Sequence, residues 1–170
     1  MAQEAAFDIH EVTTPAEAEL VAELAALIWR EHYEPIIGAA QVDYMLNAFQ
    51  SPDRIWLDIV NQGICYEWLA RSGEAVAYMA SRFDERGCFL SKLYVHKTQR
   101  GQGCARLMLD RLIQRCRTQT VSRIWLTVNK HNSGSIAAYK KMGFWVIDEI
   151  VTDIGSGYVM DDYVMALDIC

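Results

Sequence analysis

The chain has 170 residues, of which 52% are hydrophobic and 22% charged, and its formal net charge is −6. This length fits one globular domain over residues 1–170, able to bury roughly 70% of its unfolded surface without covalent staples. The acidic balance argues against nucleic acid as a partner, and the longest apolar run is far short of a membrane span.

Five cysteines (Cys65, Cys88, Cys104, Cys116 and Cys170) are odd in number and include no Cys-x-x-Cys pair, so neither a disulfide framework nor a metal site is expected. Met1-Ala2-Gln3-Glu4 lacks the basic and apolar character of a secretory leader. Reduced thiols in a cytoplasmic protein are the simplest expectation.

In chain order, Phe7–Val12 alternates apolar and polar as a half-buried strand does. Thr14 then offers a helix cap with Pro15 in the first turn, and Leu20, Val21, Leu24, Leu27 and Ile28 form a one-sided stripe. Glu34-Pro35-Ile36-Ile37-Gly38 predicts a break. A second helix follows over about 40–50, with Val42, Met45, Leu46 and Phe49 inward, and Ser51-Pro52-Asp53 starts a third that carries Ile55, Ile59 and Val60.

After Gly63 the pattern turns to strands. Cys65–Ala70, Ala75–Arg82 and Cys88–Val95 are separated by the turn-forming stretches Arg71-Ser72-Gly73-Glu74 and Asp84-Glu85-Arg86-Gly87. A helix with Ala105, Met108, Leu109, Leu112, Ile113 and Cys116 on one face comes next. Then follow a strand at Ile124–Val128, a helix at Ser133–Met142 stopped by Gly143, and strands at Phe144–Val151 and Tyr158–Ile169. That order, β-α-α-α-β-β-β-α-β-α-β-β, predicts an α/β fold: a mixed sheet with helices on both faces.

The most informative stretch joins the strand ending at Val95 to the following helix through Arg100-Gly101-Gln102-Gly103-Cys104-Ala105. A glycine-bearing loop at a helix N-terminus presents free backbone N–H groups carrying roughly half a positive charge, which suits a phosphate or pyrophosphate. A dinucleotide fingerprint fails because Arg106 stands where the third glycine belongs, and no Gly-Lys-Ser/Thr follows to make a P-loop.

Arg100–Ala105 instead resembles the Arg/Gln-x-x-Gly-x-Gly/Ala loop of the GCN5-related N-acetyltransferase family. About 25 residues on, Leu126-Thr127-Val128-Asn129 leads to Asn132 and a helix ending Tyr139-Lys140-Lys141-Met142-Gly143-Phe144, similar to the family's strand, Asn-led helix and Tyr-x-Lys-x-Gly-Phe ending. Order and spacing agree from roughly Phe7 to Ile169. Asp153–Met165 looks like the last hairpin of the bacterial spermidine/spermine N-acetyltransferase branch.

The resemblance implies a central, mostly antiparallel twisted sheet that splits at the cofactor site, and acetyl-CoA as acetyl donor without a metal. Backbone N–H groups of Gly101, Gln102, Gly103, Cys104 and Ala105 would hold the pyrophosphate, with Arg100 at the loop start. Leu93 and Val95 would offer main chain to the pantetheine arm, and the Val95 N–H would serve the thioester carbonyl. Tyr139 is the expected acid for the leaving thiolate, and Asn132 both caps its helix and touches the cofactor.

The implied acceptor is a primary amine of a small molecule, a polyamine for example. No motif selects the base among Glu34, Glu67, His96 and His131. Glu31, Glu34, Asp43, Asp161 and Asp162 are candidate acidic partners for such an amine, and Tyr33, Trp56, Tyr158 and Tyr163 candidate stacking partners. Two alternatives stay open: a non-catalytic acyl-CoA-binding regulatory module, and an acetyltransferase of protein N-termini. A homodimer is a further possibility, with the last strand as its pairing edge.

Overall fold

The computed structural model describes residues 6–169; the leader reading at Met1–Glu4 and the residue Cys170 lie outside them. Seven strands and five α-helices are present: β1 (Phe7–Glu11), α1 (Pro15–Ile37), α2 (Ala39–Phe49), α3 (Pro52–Gln62), β2 (Cys65–Arg71), β3 (Glu74–Asp84), β4 (Gly87–Val95), α4 (Cys104–Thr118), β5 (Arg123–Asn129), α5 (Ser133–Lys141), β6 (Trp145–Gly155) and β7 (Tyr158–Asp168). Two compact units share these elements. One comprises the chain as far as Arg82 together with Lys92–Leu109; the other comprises Phe83–Ser91 and the chain from Asp110 onward.

In the first unit β1, β2 and β3 pair antiparallel in sequence order. Helix α1 starts as its sequence predicts. Thr14 Oγ1 accepts the Glu17 N–H at 3.3 Å, and Glu17 Oε2 accepts the Thr14 N–H at 3.0 Å, a reciprocal cap. These hydrogen bonds, with the Thr13 N–H first among them, hold the Glu17 carboxyl below its ordinary value.

Two expectations for α1 need correction. The helix continues through Pro35 to Ile37, because a proline this close to the end forfeits a single backbone bond and Gly38 closes the helix by donating to the Glu34 carbonyl at 3.0 Å. Its buried face keeps the expected Val21, Leu24 and Ile28 and adds Ala18, Ala22, Ala25, Trp29 and Tyr33, whereas Leu20 is half-buried and Leu27 is 46% exposed. Alanines occupy the innermost positions because a small side chain lets the helix axis approach its neighbours closely.

The second unit orders its strands β4, β5, β7, β6. The β4–β5 pair is parallel and registers only Cys88↔Ile124 and Phe89↔Trp125, whereas β5–β7 and β7–β6 are long antiparallel ladders. Ile124, Leu126 and Met165 are fully buried beside Leu112 and Cys116 in its core. The last strand therefore lies between two others, and the edge is β6, whose exposed Trp145, Ile147, Ile150 and Val151 correct the pairing edge expected at β7. Cys65, Cys88, Cys104 and Cys116 are in no disulfide. Among the described residues no helix is long and apolar enough to cross a membrane, and no group of three or more His, Cys, Asp or Glu converges on a metal position.

Candidate active site

In the first unit the end of β4 turns through His96 into a single 3-10 turn at Lys97–Gln99, then the loop that starts α4. His96 anchors this turn: its N–H donates to the Val76 carbonyl at 2.8 Å, and its Nδ1 accepts the Thr98 N–H at 3.3 Å. That cap is a structural use of a residue considered for the base.

Gly101 and Gly103 adopt φ of +74° and +82°, left-handed values that penalise any side chain. A Cβ built at either would meet no atom within 4 Å, so the space beside both glycines at the start of α4 is open. The Gly103 carbonyl accepts from the Leu107 N–H at 2.9 Å, beginning the helix, so the first N–H groups after it have no partner in the preceding helical turn. Open space at a positive dipole end fits an anionic group.

Side chains brace the loop from outside. Arg71 Nη1 donates to Gln99 Oε1 at 2.7 Å and also to Gln102 Oε1, while Gln102 Nε2 donates to the Thr98 carbonyl at 3.2 Å. Arg100 folds back so that Nε donates to the Val95 carbonyl at 3.2 Å, tying the loop to the end of β4 and leaving its terminal N–H groups for other partners. Cys104 is 2% exposed and its thiol is pushed up by burial, with Arg71 opposing. Leu93, Val95 and Ala105 are half-buried; Arg100, Gly101, Gln102 and Gly103 are exposed.

The acidic residues expected on the N-terminal helices are engaged locally. Glu31 pairs with Lys97 at 3.3 Å, Glu34 with Arg30 at 3.5 Å, and Asp43 with Arg30. Trp56 is half-buried on α3. Tyr33 is buried and its hydroxyl lies 3.0 Å from that of Tyr94 on β4.

Behind that pair runs a polar chain that sequence reading missed: Trp29 Nε1 donates to Tyr78 Oη at 2.9 Å, Tyr78 Oη to Gln50 Oε1 at 2.9 Å, and Gln50 Nε2 to Tyr66 Oη at 3.0 Å. Its members come from α1, β3, β2 and the residue after α2, so no local spacing announces it. Burial lifts the Tyr66 and Tyr78 phenols far above their ordinary range, and both stay neutral. Glu67 is 1% exposed on β2. Lys92, also missed, has its ammonium drawn down to about 8 by burial, partly offset by the Asp58 carboxylate.

In the second unit β5 leads into α5. Asn132 is 3% exposed, and its Oδ1 accepts the Ser135 N–H at 3.3 Å, the expected cap. Tyr139 is half-buried on α5, its ring edge-on to Phe144 at 5.5 Å, while His131 is exposed and donates its backbone N–H to Asn129 Oδ1 at 2.9 Å. Asp161 is paired with Lys130 at 2.9 Å, and the same ammonium lies 5.6 Å over the Tyr163 ring, which takes up that candidate stacking face. Tyr158 is half-buried at the start of β7.

Known proteins share this architecture. PaiA N-acetyltransferase from Thermoplasma acidophilum, solved in complex with coenzyme A, superposes with a TM-score of 0.82 at 17% identity, over 96% of this chain and 99% of that one. The ribosomal-protein-S18-alanine N-acetyltransferase from Escherichia coli gives 0.66 at 19% identity, over 96% and 94%. An uncharacterized N-acetyltransferase of Mycobacterium tuberculosis (strain ATCC 25618 / H37Rv) is 32% identical over 94 residues; the match covers 55% of this chain and 60% of the length of that relative. Residues 19–144, well over half of the sequence, match the model of the Acetyltransferase (GNAT) family, and the chain belongs to that family.

Proposed function

We propose that this protein transfers the acetyl group of acetyl-CoA to a primary amine of a small molecule, with polyamines the leading class. The observation that carries the reading is the Gly101–Ala105 cradle: two left-handed glycines, open space and the N-terminus of α4, braced by Arg71. The brevity of the β4–β5 ladder supports it too, because main chain near Leu93 and Val95 then stays available to pair with an extended ligand arm. Family membership supports the reaction class.

When bound, acetyl-CoA supplies a thioester: the amine nitrogen forms the new C–N bond, the C–S bond breaks, and the amine gives up one proton. Gly101, Gln102, Gly103, Cys104 and Ala105 bind through backbone N–H groups, and Arg100 neutralises charge with its outer guanidinium nitrogens. The Val95 N–H donates to the carbonyl oxygen as negative charge develops there. Tyr139, a phenol that stays protonated at neutral pH, gives its proton to the departing sulfur and takes back, through water, the one the amine nitrogen loses. Asn132 orients the start of α5 and contacts the cofactor. A second copy of the chain pairs along the β6 edge, where Val151 is 66% and Ile150 43% exposed.

The test is acetyl-CoA-dependent thiol release across spermidine, spermine, putrescine, amino acids, aminoglycosides and short peptides. Release with amines alone supports the proposal. Release only with peptides makes it an acetyltransferase of protein N-termini, and calorimetric binding of acetyl-CoA with no release makes it a regulatory module.

A further inference from the structure

The cofactor loop of the first unit has little of its own to hold it. Arg100, Gly101, Gln102 and Gly103 are exposed, and the two glycines stand in left-handed turns. A glycine forfeits more conformational freedom on ordering than any other residue, and the sequence from Lys97 to Gly103 has no apolar side chain to pack the loop down. Local backbone bonds order only the turn that precedes it: the Gln99 N–H donates to the His96 carbonyl at 2.9 Å and the Arg100 N–H to the Lys97 carbonyl at 3.4 Å.

A tie from outside comes from β2. Arg71 is its last residue, set beside the tight turn at Ser72 and Gly73 and opposite Phe7 in the β1–β2 ladder. Its guanidinium lies 5.2 Å from the centroid of the Phe7 ring, a platform that fixes the direction of the side chain. From there one nitrogen, Nη1, donates to two amide oxygens, Gln99 Oε1 at 2.7 Å and Gln102 Oε1. Those glutamines bracket Arg100 and Gly101. Gln102 passes the constraint on, since its Nε2 donates to the Thr98 carbonyl at 3.2 Å and the Thr98 N–H is held by His96 Nδ1 at 3.3 Å. The charge of Arg71 is felt as far as Cys104, the first residue of α4, where it opposes the rise of the thiol. A guanidinium presents its donors in fixed directions, whereas an ammonium is a point charge on a flexible stem. A loop left loose must be ordered at each binding event, and that cost comes off the affinity.

We propose that Arg71 is a positioning residue for the cofactor: by gripping Gln99 and Gln102 together it holds the loop between them in the course that receives the anionic part of acetyl-CoA. This rests on the acetyl-CoA reading above. Arg71 acts through the loop and touches no reacting atom.

The experiment measures acetyl-CoA affinity by calorimetry for the native chain, Arg71→Met, Arg71→Lys, the pair Gln99→Leu with Gln102→Leu, and that pair combined with Arg71→Met. Amide exchange over residues 99–105 is followed in the same proteins without ligand. Arg71→Met is expected to weaken binding by about tenfold and Arg71→Lys by nearly as much, because the charge survives and the two-amide grip does not. The glutamine pair should lose a similar factor, and the combined variant no more than either, since all cut the same link. Loop amides should exchange faster in each variant while those of β3 stay as they are. Native affinity in Arg71→Met, full recovery in Arg71→Lys, or losses that multiply in the combined variant each overturn the proposal; the last would mean that Arg71 contacts the ligand itself. A native chain that binds no acetyl-CoA overturns the cofactor reading and with it the ligand named here, and the loop exchange then decides alone whether Arg71 is the brace.

Discussion

Asp162 gives a stability experiment whose size can be worked from its environment. Its carboxyl is held at about 6 in the folded chain against an ordinary 3.8, through burial first and the Asp161 charge second. A carboxyl raised on folding binds its proton more tightly in the native state than in the unfolded one. Its protonation therefore favours the fold, and stability falls as pH climbs from about 4 through about 6, then levels. Linkage over that window puts the cost of the buried charge at about 2 kcal/mol near pH 5 and about 3 kcal/mol near pH 8. Asp162→Asn keeps the shape and removes the charge, so it should stabilise the protein, with the gap widening by about 1 kcal/mol between the two pH values. Urea unfolding of both proteins at each pH measures this directly. A gap that does not change with pH, or a variant less stable than the parent near pH 8, would refute the argument that an unpaired buried charge sits at this position.

Gly103→Glu places a carboxylate in the open space at the mouth of α4; acetyl-CoA affinity measured by calorimetry should fall at least about a hundredfold, since like charges near 4 Å repel by roughly 1–4 kcal/mol and the backbone is strained besides. Normal affinity would reduce the loop to a turn. Tyr139→Phe should leave acetyl-CoA affinity unchanged and lower kcat by about a hundredfold; an unaltered kcat would end its assignment as the acid. Val151→Lys puts a charge on the exposed β6 edge, and sedimentation should show the protein shift toward monomer if two copies pair there. A single species of the same mass before and after would exclude that edge.

Much of this architecture is local and was therefore readable in the sequence. Thr14 with Glu17, Ser51 with Pro52, and Asn132 mark helix starts because the groups that satisfy the first N–H donors lie within three residues of them. The turns of the Arg100–Ala105 loop were legible for the same reason: left-handed turns demand glycine. Alternation gave the strands, and their order gave a mixed sheet. Where local signals conflicted, the reading erred: Pro35 suggested a break that the helix absorbs, and the apolar count favoured Leu27 over the alanines that face the core.

Tertiary structure alone decided which polar groups end up together and which are left without partners. Trp29, Gln50, Tyr66 and Tyr78 form one hydrogen-bonded chain although up to 49 residues separate directly bonded members. Glu31 and Asp43 read in the sequence as free acidic groups, yet each has a basic neighbour from another element that only folding supplies. Asp161 and Asp162 are adjacent and chemically identical, but strand pleating turns successive side chains to opposite faces, giving one a lysine and burying the other. The charge of a side chain is written in the sequence; its solvation and its partner are set by the fold.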